Sequence, residues 1–160
     1  MKRVELVDLY KKIEKLPAKN YNKYLLLSIM KTKILFNPEI NKIVDKEREL
    51  YFDERFNEFE QKRIVIVQSY SEKTEDGTYK IDNGQYVIRP ESNNDAQEKI
   101  RDLKKEYSEV LSEHDRKISE YNTFINADID IEIVKTSFEN LPTDMTPDEF
   151  EFLSRFVKEE

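Results

Sequence analysis

The 160-residue sequence has no cysteine and no tryptophan, and it has only two glycines and five prolines. Without cysteine, the chain can form neither disulfides nor thiolate metal sites. Two glycines are too few for a glycine-rich phosphate loop, and no Gly-x-Ser-x-Gly nucleophile turn is present. No apolar run approaches the roughly 18 residues of a membrane span. These absences exclude several common enzyme classes, and we expect no cofactor and no membrane segment.

Over the chain as a whole, basic and acidic residues are mixed rather than separated. The 27 basic residues are interleaved with 34 acidic ones, for a net charge of −7, so no basic stripe indicates nucleic-acid binding. The N-terminus leads into an amphipathic pattern without a signal-peptide core, which predicts a cytosolic protein. Charged and hydrophobic residues each make up 38% of the chain. That balance favours long helices with a narrow apolar seam, and the length fits a single domain over residues 1–160.

Apolar periodicity predicts a mainly α-helical (α+β) chain. Helices are expected over 4–16 and 20–36, the second being the most buried because its run at 25–27 is apolar on more than one face. Asn37 as N-cap and Pro38 at the first helical position predict the start of a third helix. Since no glycine or proline follows Pro38 until after residue 71, that helix is expected to run unbroken over 38–71.

A second long helix is predicted from Asn93 or Asn94 to about Phe124. Its apolar residues recur at nearly heptad spacing, as in a coiled coil. Neither long helix could bury its stripe alone, so we expect the two to pack antiparallel as a helical hairpin. The seam residues are Ala96, Ile100, Leu103, Tyr107, Val110, His114, Ile118, Tyr121 and Ile125.

A β-hairpin is expected to join the two long helices over residues 78–89. Asn83-Gly84 is typical of a type I′ turn, which needs positive φ at both central residues. This turn would place Ile81 opposite Tyr86, and by extension residue 79 opposite residue 88.

The C-terminal region predicts one strand and one helix. Strict alternation over 128–134 predicts a half-buried strand that would pair with the hairpin or with another subunit. Thr146, Pro147 and Glu149 form a capping-box pattern that predicts a helix over 147–158. The residues expected to face the core from that helix are Phe150, Leu153, Phe156 and Val157.

Two features could carry chemistry. The single histidine, His114, could act as a proton shuttle or a pH-sensitive contact. A seam residue is the simpler interpretation, because general-base catalysis needs an oriented partner and a pocket. Asp128, Asp130 and Glu132 lie on one side of the predicted strand, and metal-dependent nucleases hold cations with such clusters. Any solvated strand face has the same pattern, so we predict a non-enzyme without catalytic, cofactor-binding or metal-binding residues.

The order of elements carries one family resemblance. The alternating residues 129–133 are followed by the motifs at 139–142 and 145–147, after the helix start at 37–39 and a turn over 70–77. This succession resembles a family of uncharacterised small bacteriophage proteins over about residues 25–157. It implies a phage gene product in the cytoplasm of an infected bacterial host or in the virion, and it implies no activity. Two long helices flanking a hairpin also look like β-prefoldin in architecture.

The expected function is therefore a structural or assembly role through protein–protein contacts, including self-association. The alternative is a small acidic inhibitor or modulator of a host or phage enzyme, including an anti-defence protein, and a metal-dependent nuclease is third. An uncovered part of the 96–125 seam and the edge of the 129–134 strand are the expected docking surface. Its predicted partner-binding residues are Ile129, Ile131, Ile133, Tyr107 and Tyr121.

Overall fold

The computed structural model describes residues 1–17 and 19–158. The chain forms two compact units, Met1–Glu47 with Tyr121–Glu160 (unit 1) and Arg48–Glu120 (unit 2). The predicted mainly helical fold with a small antiparallel sheet is confirmed, whereas a single domain stays a prediction. The elements are α1 (Arg3–Glu14), α2 (Lys23–Tyr51), α3 (Glu54–Tyr70), β1 (Ile81–Asp82), β2 (Gln85–Tyr86), α4 (Asn93–Glu106), α5 (Ser108–Asn126) and α6 (Pro147–Leu153), with 3-10 turns at Pro90–Ser92, Phe138–Asn140 and Ser154–Phe156.

Unit 1 is built around one apolar core. Helix α1, the first half of α2 and the C-terminal α6 region all contribute fully buried side chains to it. The segment after α5 is fastened to this core by Thr32, whose Oγ1 accepts a hydrogen bond from the Val134 N–H at 3.0 Å. The buried core residues are Leu6, Leu9, Ile13, Tyr21, Leu25, Ile29, Phe36, Phe152, Leu153 and Phe156.

Helix α2 passes through Pro38, so the predicted helix start at Asn37 is wrong. Proline cannot donate to the carbonyl one turn earlier, at Ile34, but both residues lie on the exposed side of the helix, where water can replace that bond. Phe36 and Glu39 are buried on the other side of the helix, so packing on that side anchors the segment around Pro38. Asn37 is not a cap, and its Oδ1 accepts a hydrogen bond from Tyr10 Oη instead.

The long helix predicted over 38–71 is divided at residues 52–53, contrary to expectation. Helix α2 ends at Tyr51 and α3 begins at Glu54, with Asp53 as its N-cap. The Asp53 carboxylate accepts a hydrogen bond from the Phe56 N–H at 3.1 Å. Aspartate satisfies an otherwise unpaired N–H at a helix start, so it can restart a helix without any glycine or proline nearby.

Unit 2 is an antiparallel helical hairpin, as predicted. Asp53 at the start of α3 binds Lys117 on α5, whereas Phe59, further along α3, contacts Tyr107. A later residue of α3 thus contacts an earlier residue of the other side, so the two sides of the hairpin are antiparallel. The predicted helix over 93–124 is interrupted by one residue, Tyr107, between α4 and α5. The buried core of unit 2 is Phe59, Leu103, Tyr107 and Val110.

The β-hairpin has the predicted turn but only part of the predicted pairing. Asn83 and Gly84 have φ values of 48° and 78°, as a type I′ turn requires. Ile81 pairs with Tyr86 as expected. Beyond them one direct hydrogen bond remains, from the Val87 N–H to the Lys80 carbonyl, and the hairpin then opens around Glu72, whose N–H donates to the Val87 carbonyl and whose carbonyl accepts from the Lys80 N–H.

The predicted pairing of Tyr79 with Ile88 is consequently wrong. Tyr79 faces Lys73, and Ile88 faces Ser71, in two isolated bridges. The segment that follows α3 therefore supplies the pairing partners of residues 79 and 88, which the sequence predicts to pair with each other. Sequence alternation identified the hairpin turn but not this third segment.

The strand predicted over 128–134 is also wrong. Among the described residues this segment has one bridge, between Asp128 and Lys2, and the Ile129 N–H donates to the Met1 carbonyl at 2.9 Å. The isoleucines of this segment pack against the helical core of unit 1. Strict alternation gives one apolar side to any extended segment, whether its partner is a sheet or a helical core.

The C-terminal capping box is confirmed, but the helix is shorter than predicted. The Thr146 Oγ1 accepts from the Glu149 N–H, and the Glu149 carboxylate accepts from the Thr146 N–H. Helix α6 ends at Leu153 and a 3-10 turn follows. Phe152 is buried and packs edge-to-face on Phe156 at 5.4 Å, whereas the predicted core residue Phe150 is exposed.

Candidate docking surface

Helix α2 exposes a second apolar face in addition to the one that it buries. Its inner side contributes Leu25, Ile29 and Phe36 to the core of unit 1. Each residue turns an α-helix by about 100°, which places Leu27, Met30 and Ile34 opposite the buried side, with Leu26 at one edge of the exposed arc and Tyr24 and Leu35 at the other. Met30 and Ile34 are 62% and 64% exposed. We call this surface the outer face of α2, and its members are Tyr24, Leu26, Leu27, Met30, Ile34 and Leu35.

The outer face carries positive charge and no negative charge of its own. Residues 15–38 include five lysines and no aspartate or glutamate. Lys23 and Lys31 are exposed on the same side of α2 as Leu27 and Ile34, and neither forms an ion pair within residues 1–17 and 19–158. Lys33 lies at one edge and is paired with the Glu14 carboxylate at 3.2 Å. The outer face is therefore apolar and basic within an acidic protein.

A buried ion pair holds α2 in place on α1. The Arg3 guanidinium lies 2.5 Å from the Glu39 carboxylate, which also accepts from Lys42 at 2.9 Å. Burial favours the neutral form of Glu39, but the hydrogen bonds from Lys42 and Arg3 outweigh it and lower the pKa of this carboxyl. Arg3 also stacks over the Phe124 ring at 4.1 Å and donates to the Phe124 carbonyl. These contacts make α2 a fixed platform for the outer face.

The structure gives the predicted unit 1 docking residues contacts within the chain. Ile129, Ile131 and Ile133 are half-buried against the core of unit 1. Tyr121 is half-buried, and its hydroxyl donates to the Glu47 carboxylate at 2.7 Å. Their apolar surface is thus largely used by the fold itself. A role for these residues in partner binding stays a prediction.

Tyr107, the predicted docking residue in unit 2, lies in the core of that unit. Its hydroxyl donates to the Glu58 carboxylate at 2.7 Å and accepts from Lys62 at 2.6 Å. The hydrogen bond that Tyr107 donates is the main reason why the pKa of Glu58 is lowered, and the hydrogen bond that Lys62 donates to the Tyr107 hydroxyl is the main reason why the pKa of Lys62 is raised. Because Tyr107 is only 8% exposed, it offers little surface to a partner.

The two features considered for chemistry show no catalytic geometry among the described residues. His114 stacks on Phe56 with ring centroids 3.5 Å apart, and its Nδ1 is buried without a hydrogen-bond partner within the described chain. A general base needs a partner that orients it. Asp128, Asp130 and Glu132 are all exposed, and the described residues contain no group of three or more histidine or carboxylate side chains placed to hold a metal ion.

No protein-family model, curated protein or solved structure matches this chain. Over the part of the chain that the structure describes, every helix is too short or too polar to cross a bilayer. The outer face of α2 is missed from the sequence because the apolar run at 25–27 predicts the most buried helix of the chain rather than a helix with a second, exposed apolar face. The useful signal was the combination of apolar residues on two sides of one helix with the absence of acids from residues 15–38.

Proposed function

We propose that this chain is a non-enzymatic protein that works by docking a partner protein on the outer face of α2. The observation that carries the proposal is that one helix exposes six large apolar side chains over about three turns, with Leu27, Met30 and Ile34 in a row at their centre. Contiguous apolar surface is costly to keep in water and is typical of interaction sites. The setting that we propose is a structural or assembly role for a phage gene product in an infected bacterial cell or in the virion.

The physical basis is that the fold does not need the outer face. The core of unit 1 is formed by the opposite side of α2, where Leu25 and Phe36 are completely buried. A helix that serves only the fold commonly carries polar residues on its solvent side. Each 100 Å² of apolar surface that a partner removes from water stabilises the complex by about 2.5 kcal/mol before the costs of association.

The proposal is tested with the double variant Met30→Glu/Ile34→Glu. Tagged wild type and variant are expressed in the native host cells, and the co-purified proteins are compared by quantitative mass spectrometry. The matched control is Val65→Glu on α3, because Val65 is 64% exposed, the same as Ile34. We expect the double variant to lose the captured partner while its circular dichroism and melting temperature stay at wild-type values, and Val65→Glu to retain it. Equal capture by all three proteins would refute the proposal.

A further inference from the structure

We infer that the occupant of the outer face is an amphipathic helix of a partner protein whose apolar stripe is bordered by carboxylates. This inference rests on the proposed function and names the chemistry of the partner. It is drawn from the shape of the outer face, from the position of its lysines and from the lack of acids around it.

The shape of the outer face suits a helix. Its six apolar residues lie between Tyr24 and Leu35, which is about three turns of helix, or roughly 18 Å. Side chains at spacings of three and four residues form ridges, and a second helix can place its own ridges between them. Leu27, Met30 and Ile34 form such a ridge along the centre of the face. An apolar stripe of three to four turns on the partner would cover it.

The lysines determine the charge of that partner. Lys31 lies one turn after Leu27 and one turn before Leu35, so any occupant that covers these leucines also covers the stem of Lys31. An ammonium group that loses water without gaining a partner is strongly unfavourable. A carboxylate at the border of the partner's stripe would satisfy it and would set the register of the two helices. Lys23 offers the same contact two turns earlier on the same side.

Two other occupants fit these observations less well. In a symmetric contact between two copies of this chain, the outer face would meet itself, and Lys23 and Lys31 would gain no carboxylate from residues 15–38, which contain no acid. On an anionic membrane, the apolar residues on both sides of Lys31 would carry its ammonium toward the acyl chains, and the net charge of −7 would oppose binding.

The test uses three synthetic helical peptides of equal length with one common leucine and isoleucine stripe. The positions bordering the stripe are all glutamate, all glutamine or all lysine. Affinity for the full chain is measured by fluorescence anisotropy at low and high salt. We expect the glutamate peptide to bind at least tenfold more tightly than the lysine peptide. The variant Lys31→Glu should remove or reverse this preference, whereas Lys104→Glu, which changes an exposed lysine on α4, should leave it unchanged.

The same set of measurements contains the results that would overturn the inference. Binding to none of the peptides, equal binding to all three, or a preference that survives Lys31→Glu would each exclude a carboxylate-bordered helix. Tighter binding to vesicles of equal phosphatidylglycerol and phosphatidylcholine would assign the face to a membrane. A concentration-dependent dimer in sedimentation that Ile34→Glu abolishes would assign it to a second copy. Any of these can occur while Met30→Glu/Ile34→Glu still loses its captured protein, so failure of this inference is distinguishable from failure of the proposed function.

Discussion

The two units of this chain differ in how much apolar surface they possess and where they place it. Unit 1 buries a cluster of ten core residues from three parts of the chain, and unit 2 buries a cluster of four between the two sides of a helical hairpin. Around its smaller cluster, unit 2 has the stacking of Phe56 on His114 and the ion pair of Lys117 with Asp53. Unit 1 has enough apolar residues to complete its core and still expose a second face.

The solvent sides of α2 and α3 make the same contrast at the scale of one helix. On α3 the exposed positions are mainly charged or polar, and Val65 is the only large apolar residue described as exposed there. The first half of α2 exposes six large apolar residues. An amphipathic helix with one polar side needs no further explanation, whereas a helix that is apolar on two sides indicates a second contact.

The largest expected effect comes from emptying the larger core. Phe36 is completely buried at the centre of unit 1, so Phe36→Ala should lower the free energy of unfolding by about 3–5 kcal/mol through lost transfer energy and a residual cavity. Phe59→Ala is the matched change in unit 2, where fewer neighbours surround the ring and the hairpin can close over part of the space. Urea denaturation followed by circular dichroism measures both. A smaller loss for Phe36→Ala than for Phe59→Ala would contradict the contrast between the cores.

The second prediction concerns the buried ion pair of unit 1 and its dependence on pH. The folded-state pKa of Glu39 is lowered from its usual 4.5, so the pair stabilises the protein above that pH and the contribution is lost as pH falls through the lower folded value. Arg3→Met removes one partner and leaves the carboxylate buried, which should cost about 2 kcal/mol at pH 7. Loss of the Arg3 hydrogen bond raises the pKa of Glu39 relative to wild type while the contact with Lys42 remains, so the deficit of the variant relative to wild type should shrink on acidification.

Urea denaturation of both proteins between pH 7 and pH 3 measures this difference. The control is Arg3→Met/Glu39→Leu, which removes both charges and should recover most of the stability at pH 7, because no unpaired group remains buried. A deficit of Arg3→Met that is constant over this pH range would show that Arg3 acts through its contact with Phe124 rather than through Glu39.

Much of this fold could be predicted from local patterns, and the errors have physical reasons. The turn at Asn83-Gly84 and the capping box at Thr146 are determined by a few adjacent residues, so both were predicted correctly. The helix through Pro38 and the fate of the 128–134 segment depend on what the rest of the chain packs against them. For the candidate docking surface, the sequence shows the apolar run and the neighbouring lysines. It does not show which side of the helix stays exposed, because that depends on the tertiary fold.

The third prediction concerns the hairpin of unit 2, where the effect should be smaller and confined to backbone conformation. Gly84 has a φ of 78°, and a side chain added there would meet no atom within 4 Å. Gly84→Val should therefore cost about 1–2 kcal/mol through backbone strain alone. Gly84→Asn is the control, since asparagine tolerates positive φ better and should cost clearly less. Thermal unfolding measures both, and equal melting temperatures for wild type and Gly84→Val would mean that the turn has a different conformation.

The smallest expected effect is that of His114→Phe in unit 2, where the sign matters more than the size. The buried Nδ1 has no hydrogen-bond partner among the described residues. A buried polar atom without a partner lowers the stability of the fold, and an apolar ring has no such atom. His114→Phe keeps a ring stacked on Phe56 and removes that nitrogen, so the free energy of unfolding should stay equal or rise by up to about 1 kcal/mol. His114→Ala removes the ring as well and should lower it by about 2 kcal/mol.

Urea denaturation of the two His114 variants, with partner capture measured in parallel, separates a packing role from a functional one. If the ring only packs, His114→Phe and His114→Gln should both retain the captured protein, because the outer face of α2 belongs to unit 1 and His114 to unit 2. A marked loss of stability in His114→Phe would indicate that Nδ1 binds solvent and that the site is polar. Loss of capture by a stably folded His114→Gln protein would instead show that the imidazole itself is required, and the sparse core of unit 2 would then have a function beyond folding.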